Sequence, residues 1–236
     1  MEFRSRFPHP PRLVMYDLDG TLVDSVPDLA AAVDATLLEL GFASAGEQAA
    51  RGWVGNGAEM LMRRALAHGQ GVAAESVAQR DVGHGLQRFL HHYARSSGEH
   101  SRLYPGVAEA LQLLQQQGCV QTVVTNKPAQ FVPDLLADLG IDGYFERWLG
   151  GDSLPVKKPD PAPLNHLLQL CGVEPQDALM VGDSVNDIGA ARAAGVPVLA
   201  VTYGYNHGRP VEQERPDWLT DNLNEFLSAA LQAEPC

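Results

Sequence analysis

The chain has 236 residues, 45% of them hydrophobic and 19% charged, which is typical of a folded globular protein and argues against disorder. Its net charge of -12, from 17 basic and 29 acidic residues with no basic run, disfavours nucleic acids and anionic membranes as partners. Because no run approaches the roughly 18 apolar residues of a membrane helix, and the amino-terminal stretch lacks the apolar segment of a signal peptide, we expect a cytoplasmic protein.

The first predicted element is a strand over residues 13–17, which runs into the sequence DLDGT. Alternate residues of a strand share a face, so Asp17 and Asp19 would project side by side. Two like charges so close are favourable only if a cation lies between them or if they have different roles in one reaction. In the turn that follows, Gly20 allows a tight bend and Thr21 is predicted to cap the departing helix.

Only helical patterns follow, up to about residue 103. Ser25, Pro27 and Asp28 are typical of a helix start, with Ser25 as the N-cap, and this helix should end near Gly41. The segments NGAEMLMRRALAH and AESVAQRDVGHGLQRFLHHYARS each predict a further helix with one apolar face. We predict no strand between about residues 25 and 103.

From Tyr104 onward, predicted helices alternate with predicted strands. The helices are expected at 106–117, about 128–139, about 161–171, 185–194 and about 222–233. The strands are expected at 120–125, near 147–150, at 178–183 and at 196–202. Pro133 lies inside the second of these helices and should kink it.

This alternation predicts parallel strands with crossover helices, the doubly wound α/β class. The strand at 13–17 has no partner unless it joins that sheet, so the helical segment after it is an insertion. We therefore predict a Rossmann-like core domain formed by residues 1–24 and 104–236. An all-helical cap domain is predicted over residues 25–103.

Polar clusters follow four of the strand-like runs, namely DLDGT, VVTNKP, LPVKKPDP and VGDSVND. Ligands of open α/β sheets bind at the carboxyl ends of the strands, so these clusters should meet there. They contain four carboxylates whose hard oxygen atoms suit Mg²⁺ better than zinc or copper: Asp17, Asp19, Asp183 and Asp187. The cysteines form no CxxC pair and predict neither a disulfide framework nor a zinc site: Cys119, Cys171 and Cys236.

The chain has only three lysines, Lys127, Lys157 and Lys158, and all of them lie in these clusters. An ammonium group beside carboxylates, Mg²⁺ and the Thr125 hydroxyl forms a site complementary to a phosphoryl group. The expected partner is therefore a small phosphate ester.

In this order, the four clusters resemble the motifs of the haloacid dehalogenase superfamily, with a helical cap inserted after the first. Within it, the segments DLDGTLVDSVPDL, WVGNGAEML, TNKP, KKPDPAPL and VGDSVNDIGAARAAG are similar to those of the bacterial phosphoglycolate phosphatases, leaving only residues 1–11 uncovered. Tyr16 stands where that family usually has phenylalanine, a conservative difference. The resemblance implies Mg²⁺-dependent hydrolysis of 2-phosphoglycolate to glycolate and phosphate through a phospho-aspartate intermediate.

Matched position by position, the resemblance implies that Asp17 is the nucleophile that attacks phosphorus. Asp19 would protonate the leaving alkoxide and later deprotonate the water that hydrolyses the intermediate. Thr125 and Lys158 would bind the oxygens of the transferring phosphoryl group, and Asn126 would also contact the substrate.

The resemblance also implies a set of ligands for Mg²⁺. They are the carboxylate of Asp17, the backbone carbonyl of Asp19 and the carboxylate of Asp183. Asp187 or Asn186 would support the ion, and direct contact from Asp187 and contact through water are both left open.

The stretch WVGNGAEMLMRR has two interpretations. Asn56 can be the N-cap of a helix and nothing more. The resemblance instead makes this stretch a specificity loop, in which Asn56 and either Arg63 or Arg64 face the carboxylate of the substrate when the cap closes.

Several alternative functions remain open. The same motifs serve phosphatases for N-acetylmuramate 6-phosphate, sugar phosphates, nucleotides or pyrophosphate, because specificity lies in the cap. A sugar-phosphate mutase and a non-hydrolytic phospho-aspartyl switch also share parts of the pattern. Asp19 argues against halide release, and the absence of lysine in the cap argues against a Schiff-base phosphonate hydrolase. The protein can be a monomer or a homodimer.

Overall fold

The structure, a computed structural model, describes residues 3–232, so Cys236 and the predicted end of the last helix at residue 233 lie outside the described residues. Six parallel strands form one sheet in the order β5-β4-β1-β6-β7-β8. Their bounds are β1 Leu13–Tyr16, β4 Val120–Val124, β5 Arg147–Leu149, β6 Ala178–Gly182, β7 Val198–Val201 and β8 Trp218–Thr220. This sheet confirms the predicted doubly wound α/β class.

Strand β1 lies near the middle of the sheet, between β4 and β6. All four of its residues are buried, and Met15 pairs with Thr122 on one side and Met180 on the other. A parallel strand covered on both faces needs apolar side chains at every position, which explains the uninterrupted run LVMY.

Helices cover both faces of the sheet. Val14 and Tyr16 join one buried cluster with residues of α6 (Val107–Gln116) and α10 (Leu223–Gln232), whereas Leu13 and Met15 join another with residues of α8 (Ala162–Cys171) and α9 (Val185–Ala194). The alternation of side chains along β1 therefore supplies two separate cores. The core helices are α1 Phe3–Arg6, α6 Val107–Gln116, α7 Val132–Asp138, α8 Ala162–Cys171, α9 Val185–Ala194 and α10 Leu223–Gln232.

The segment after β1 is helical and has a core of its own. Its helices are α2 Val26–Glu39, α3 Glu47–Arg51, α4 Ala58–Gln70 and α5 Gln79–Ser96. They bury a third apolar cluster that includes Val33, Met62 and Phe89. Within the described residues 3–232, no helix is long and apolar enough to span a membrane.

A two-stranded antiparallel ribbon joins this helical segment to the sheet. Strand β2, Val23–Asp24, pairs with β3, Arg102–Leu103, so the outgoing and returning chains are held side by side. The prediction that no strand lies between about residues 25 and 103 was wrong for β3, because two residues are too few to establish a periodicity.

Two other local predictions differ from the structure. Pro133 lies in the first turn of α7, after a short 3-10 turn over residues 129–131, so it begins a helix and kinks none. Strand β8 was not predicted, because only Trp218 of its three residues is buried and the segment shows no alternation.

Candidate active site

The carboxyl edge of the sheet gathers the polar side chains that follow the strands. Asp17 comes directly after β1, Thr125 directly after β4 and Asp183 directly after β6. Lys158 comes from the loop between β5 and α8. All four side chains are buried, although three of them are ionisable. Buried charges require partners, and these residues supply them to one another.

Three carboxylates meet at this edge. Oxygen atoms of Asp17, Asp183 and Asp187 lie within 4.8 Å of one another. Burial, together with neighbouring carboxylates and against the effect of Lys158, raises the pKa of Asp17 to about 7. Burial, followed by the charges of Asp187 and Asp17, raises the pKa of Asp183 to about 8. Crowded, buried carboxylates with hard oxygen donors fit a divalent cation such as Mg²⁺.

Lys158 lies against two of these carboxylates. Its Nζ atom is 3.0 Å from Oδ1 of Asp17 and 2.6 Å from Oδ1 of Asp187, and only 1% of its side chain is exposed. Burial by itself would lower the pKa of Lys158, but the two carboxylates outweigh burial and raise it. The lysine is therefore a fixed positive charge beside Asp17.

Asp187 is held in place by the start of α9. Its Oδ2 atom accepts hydrogen bonds from the backbone nitrogen and the hydroxyl of Ser184, at 3.0 and 2.7 Å, within a capping box. Its other oxygen accepts the bond from Lys158. The helix terminus thus orients Asp187, and Asp187 in turn orients the lysine.

Asp183 is oriented by two donors from other loops. The Thr21 hydroxyl donates to its Oδ1 at 3.0 Å, and the backbone nitrogen of Tyr205 donates to its Oδ2 at 2.7 Å. The prediction that Thr21 caps a helix was therefore wrong, because its hydroxyl donates to the buried Asp183 carboxylate instead. Gly20 has a φ of +90°, and a Cβ atom there would lie 2.6 Å from Oδ2 of Asp183, so no other residue fits.

Asp19 has its own pair of donors. The Ser25 hydroxyl donates to Oδ1 of Asp19 at 2.5 Å, and Nζ of Lys127 donates to the same atom at 3.0 Å. Ser25 stands at the N-cap position of α2 but makes no side-chain capping bond, so its predicted capping role was wrong. The hydroxyl instead orients the second carboxylate of DLDGT.

Lys127 is almost fully buried, with 2% of its side chain exposed. Burial would lower its pKa, but the Asp19 carboxylate and the Tyr93 hydroxyl outweigh burial and raise it. Tyr93, on α5 of the helical segment, accepts a hydrogen bond from Nζ at 2.6 Å. The lysine therefore links the sheet edge to the helical segment above it.

A small cavity lies between the sheet edge and the helical segment, with a volume of about 30 Å³. This volume is enough for about two water molecules. Its polar lining includes Asp17, Asp19, Thr125 and Lys127, whereas its wall from the helical segment is largely apolar: Leu29, Val54, Ala58, Leu61 and Phe89.

Asn56 and Arg64 lie on a separate hollow of about 420 Å³, which Lys157 and Lys158 also line. Arg64 donates to the carbonyl of Trp53 at 2.6 Å and to Oδ1 of Asn56 at 2.7 Å. Asn56 is not the N-cap of α4, because Gly57 holds that position.

Arg63 lies elsewhere on α4. Its guanidinium donates to the carbonyl of Val77 at 3.1 Å and also bonds Gln79, within the helical segment. Of the two arginines that the sequence offered as carboxylate ligands, Arg64 is thus the one on the side of the sheet edge.

The core holds the loop before α4 through two asparagines. Nδ2 of Asn126 donates to the carbonyl of Gly55 at 2.9 Å and to the carbonyl of Lys158 at 2.9 Å. Nδ2 of Asn186 donates to the same Gly55 carbonyl at 3.2 Å, and its Oδ1 accepts from Asn56 at 3.3 Å. In this structure the helical segment is therefore docked on the sheet edge.

Sequence reasoning missed two contributors to the site, Ser25 and Tyr93. Ser25 was assigned to a helix terminus, and Tyr93 lies in an amphipathic helix with no motif around it. Tyr205 belongs to the segment YGYNHGRP, and its position after a core strand is the signal that places it beside the site.

The family model of the haloacid dehalogenase-like hydrolases matches residues 14–201 of the chain. A phosphoglycolate phosphatase 1 of Pseudomonas aeruginosa is 48% identical over 223 residues, which cover 94% of this chain and 81% of that protein. A phosphoglycolate phosphatase of Pseudomonas putida is 52% identical over 217 residues, which cover 92% of this chain and 79% of that protein.

Solved structures of related proteins have the same fold as this chain. The chain is similar to the crystal structure of a predicted phosphoglycolate phosphatase from Haemophilus somnus, with a TM-score of 0.86 and 41% sequence identity. The match covers 92% of this chain and 97% of that one, so it includes both the sheet and the helical segment.

Proposed function

The chain belongs to the haloacid dehalogenase-like hydrolases, and on that premise we propose that it is a phosphoglycolate phosphatase. It would hydrolyse 2-phosphoglycolate to glycolate and inorganic phosphate. The observation that carries this proposal is the buried Asp17, which lies beside the Lys158 ammonium and at the wall of a cavity with room for a leaving group of only a few atoms.

Asp17 and Asp19 carry out the first chemical step. An Asp17 carboxylate oxygen forms a bond to phosphorus while the bond from phosphorus to the ester oxygen breaks. Asp19 gives its proton to that oxygen, so glycolate leaves as the alcohol and the enzyme is left as a phospho-aspartate. The donors Ser25 and Lys127 keep Asp19 next to the cavity for this transfer.

In the second step Asp19 takes a proton from water, and the resulting hydroxide attacks phosphorus. The bond between phosphorus and Asp17 breaks, which releases phosphate and restores both carboxyl groups. Lys158 and Thr125 would bind the oxygens of the phosphoryl group throughout, because a fixed ammonium in a dry site stabilises the charge that develops there.

Mg²⁺ is the cofactor that these residues would hold, through the Asp17 and Asp183 carboxylates and the Asp19 carbonyl. When bound, it would supply charge neutralisation at the phosphoryl oxygens. Both oxygens of Asp187 already accept hydrogen bonds from Lys158 and Ser184, which favours a supporting role for Asp187.

The helical segment would act as a cap that opens for substrate. The β2–β3 ribbon carries both chain crossings and is the natural hinge, while Asn126 and Asn186 hold the loop at Gly55 in the docked position. We place the division between core and cap at this ribbon, so the core would comprise residues 1–24 and 104–236 and the cap residues 25–103. The expected partner is a small phosphate monoester in the cytoplasm.

A phosphate-release screen tests this function. Purified protein with Mg²⁺ is given 2-phosphoglycolate, N-acetylmuramate 6-phosphate, a hexose phosphate, a nucleoside monophosphate and pyrophosphate at equal concentrations. The highest kcat/KM is expected for 2-phosphoglycolate. A higher value for any other compound would contradict the proposed substrate, and no release from any of them would contradict the proposed reaction.

A further inference from the structure

We propose that Lys127, oriented by Tyr93, binds the carboxylate of the leaving group and so selects esters of a small hydroxy acid. This inference rests on the proposed function, because it names the residue by which that function recognises its substrate. Recognition of the substrate is thus assigned to the core lysine after β4 and to a tyrosine of α5, rather than to the loop at Asn56.

The first support is the hydrogen-bonding capacity of Lys127. A lysine ammonium has three N–H donors. One is directed to Asp19 and one to the Tyr93 hydroxyl, and among residues 3–232 no third acceptor bonds Nζ. Because Lys127 also lines the cavity, its third donor is available to a ligand there.

The second support is the character of the cavity. Lys127 is the one cationic residue among the described residues that line it, and the wall opposite is formed by apolar side chains such as Leu61 and Phe89. An anion that enters such a site loses its hydration, and a charged donor compensates for that loss more strongly than a neutral one. A neutral leaving group of the same size would have no comparable partner.

The third support is the distance between Lys127 and the proposed acid. Nζ of Lys127 lies 3.0 Å from Oδ1 of Asp19, the carboxylate that would protonate the ester oxygen. In 2-phosphoglycolate a single methylene carbon separates the ester oxygen from the carboxylate. A donor adjacent to Asp19 can therefore reach the carboxylate while Asp19 contacts the ester oxygen.

Tyr93 makes this binding dependent on the cap. The tyrosine stacks on Phe89 with ring centroids 5.5 Å apart and packs edge-on against Phe131 of the core at 4.9 Å. Its hydroxyl fixes the direction of the Lys127 ammonium, so the carboxylate site is complete only when α5 is docked. Tyr93 is a positioning residue in this scheme.

Arg64 is less suited to the same task in the docked structure. Its two terminal nitrogens donate to the Trp53 carbonyl and to Asn56, so its guanidinium is held against the loop before α4. It lines the other hollow, beside the exposed Lys157, and it is not among the residues around the cavity at Asp19.

The test compares two substrates that differ only at the carboxylate. Ethyl phosphate is 2-phosphoglycolate with the carboxylate replaced by a methyl group, and the readout is the ratio of kcat/KM for the two esters. In Lys127→Met we expect this ratio to fall by about 100-fold, because a hydrogen bond between charged groups is lost. The matched control Lys157→Met removes an exposed lysine on the other hollow and should leave the ratio unchanged.

Tyr93→Phe provides a second variant with the same readout. It keeps the ring and removes the hydroxyl that orients Lys127, so the ratio should fall by about 5-fold to 10-fold, mainly through a higher KM for 2-phosphoglycolate. If Lys127→Met does not fold, this variant decides the question: an unchanged ratio overturns the proposal.

The outcomes separate this inference from the proposed function. A wild-type protein that does not prefer 2-phosphoglycolate to ethyl phosphate contradicts the proposed function. A wild-type preference that persists in Lys127→Met overturns only the role of Lys127. Equal losses for both esters also overturn it, since they would show that Lys127 acts solely through Asp19.

Discussion

Nζ of Lys158 lies 3.0 Å from Oδ1 of Asp17, so one of the two buried lysines of the site contacts the proposed nucleophile directly. This contact lowers the pKa of a carboxyl group that burial would otherwise keep protonated. The same ammonium faces Asp187, whose position is set by the start of α9. A chain of contacts therefore runs from a helix terminus to the reacting oxygen.

Asp17→Asn should abolish turnover, with kcat lowered by at least about 10⁴-fold, because an amide cannot form the phospho-aspartate. The measurement is Mg²⁺-dependent phosphate release from 2-phosphoglycolate. Asp142→Asn, which changes an exposed aspartate, is the matched control and should retain full activity. Turnover in Asp17→Asn within about 10-fold of wild type would exclude the covalent mechanism.

Asp187→Ala should lower the free energy of unfolding by about 3 to 5 kcal/mol, because it leaves the buried Lys158 with one carboxylate fewer and removes a capping acceptor. Urea unfolding measures the change. Asp187→Asn keeps an acceptor for Ser184 and should lose less. If the two variants were equally stable, the capping contribution would have to be negligible.

Thr21→Val should weaken Mg²⁺ binding by about 10-fold, because it removes the hydroxyl that orients Asp183 while conserving the shape of the side chain. The quantity to measure is the Mg²⁺ concentration that gives half-maximal activity, and kcat at saturating Mg²⁺ should change little. Thr21→Ser retains the hydroxyl and should behave like the wild type. A normal Mg²⁺ requirement in Thr21→Val would show that this hydrogen bond is dispensable.

The metal-free protein should become less stable relative to Asp183→Asn as the pH rises. Burial raises the pKa of Asp183 to about 8 from 3.8, so the folded state retains a proton that the unfolded state releases above about pH 4. The stabilisation from this proton is complete below pH 4 and is lost as the pH rises toward 8. In the variant, an amide replaces the group and this dependence is absent.

The measurement is urea unfolding of both proteins in the presence of a chelator at pH 5 and pH 8. The difference in unfolding free energy, wild type minus Asp183→Asn, should be smaller at pH 8. Mg²⁺ should raise the melting temperature of the wild type more at pH 8 than at pH 5, because it competes with protons for the same carboxylates. Equal differences at the two pH values would contradict the raised pKa.

The sequence alone predicted a parallel sheet with a polar edge, although not its strand β8. Strands such as Leu13–Tyr16 are uninterrupted apolar runs because both of their faces are buried, and the polar residues that follow each run must lie at one edge when the strands are parallel. This rule requires only the local sequence of each strand and of the residues that follow it. It predicts that Asp17, Thr125, Lys158 and Asp183 lie close together.

The contacts of individual side chains required the tertiary structure. Ser25 and Thr21 have the sequence context of helix caps, yet their hydroxyls bond to Asp19 and Asp183. A hydroxyl donates to the strongest nearby acceptor. Segments far away in the chain determine which acceptor that is. The contact between Lys127 and Tyr93 joins residues 34 positions apart, on the core and on the helical segment. Periodicity identifies the elements, but only the docking of α5 on the sheet edge decides which side chains face the cavity.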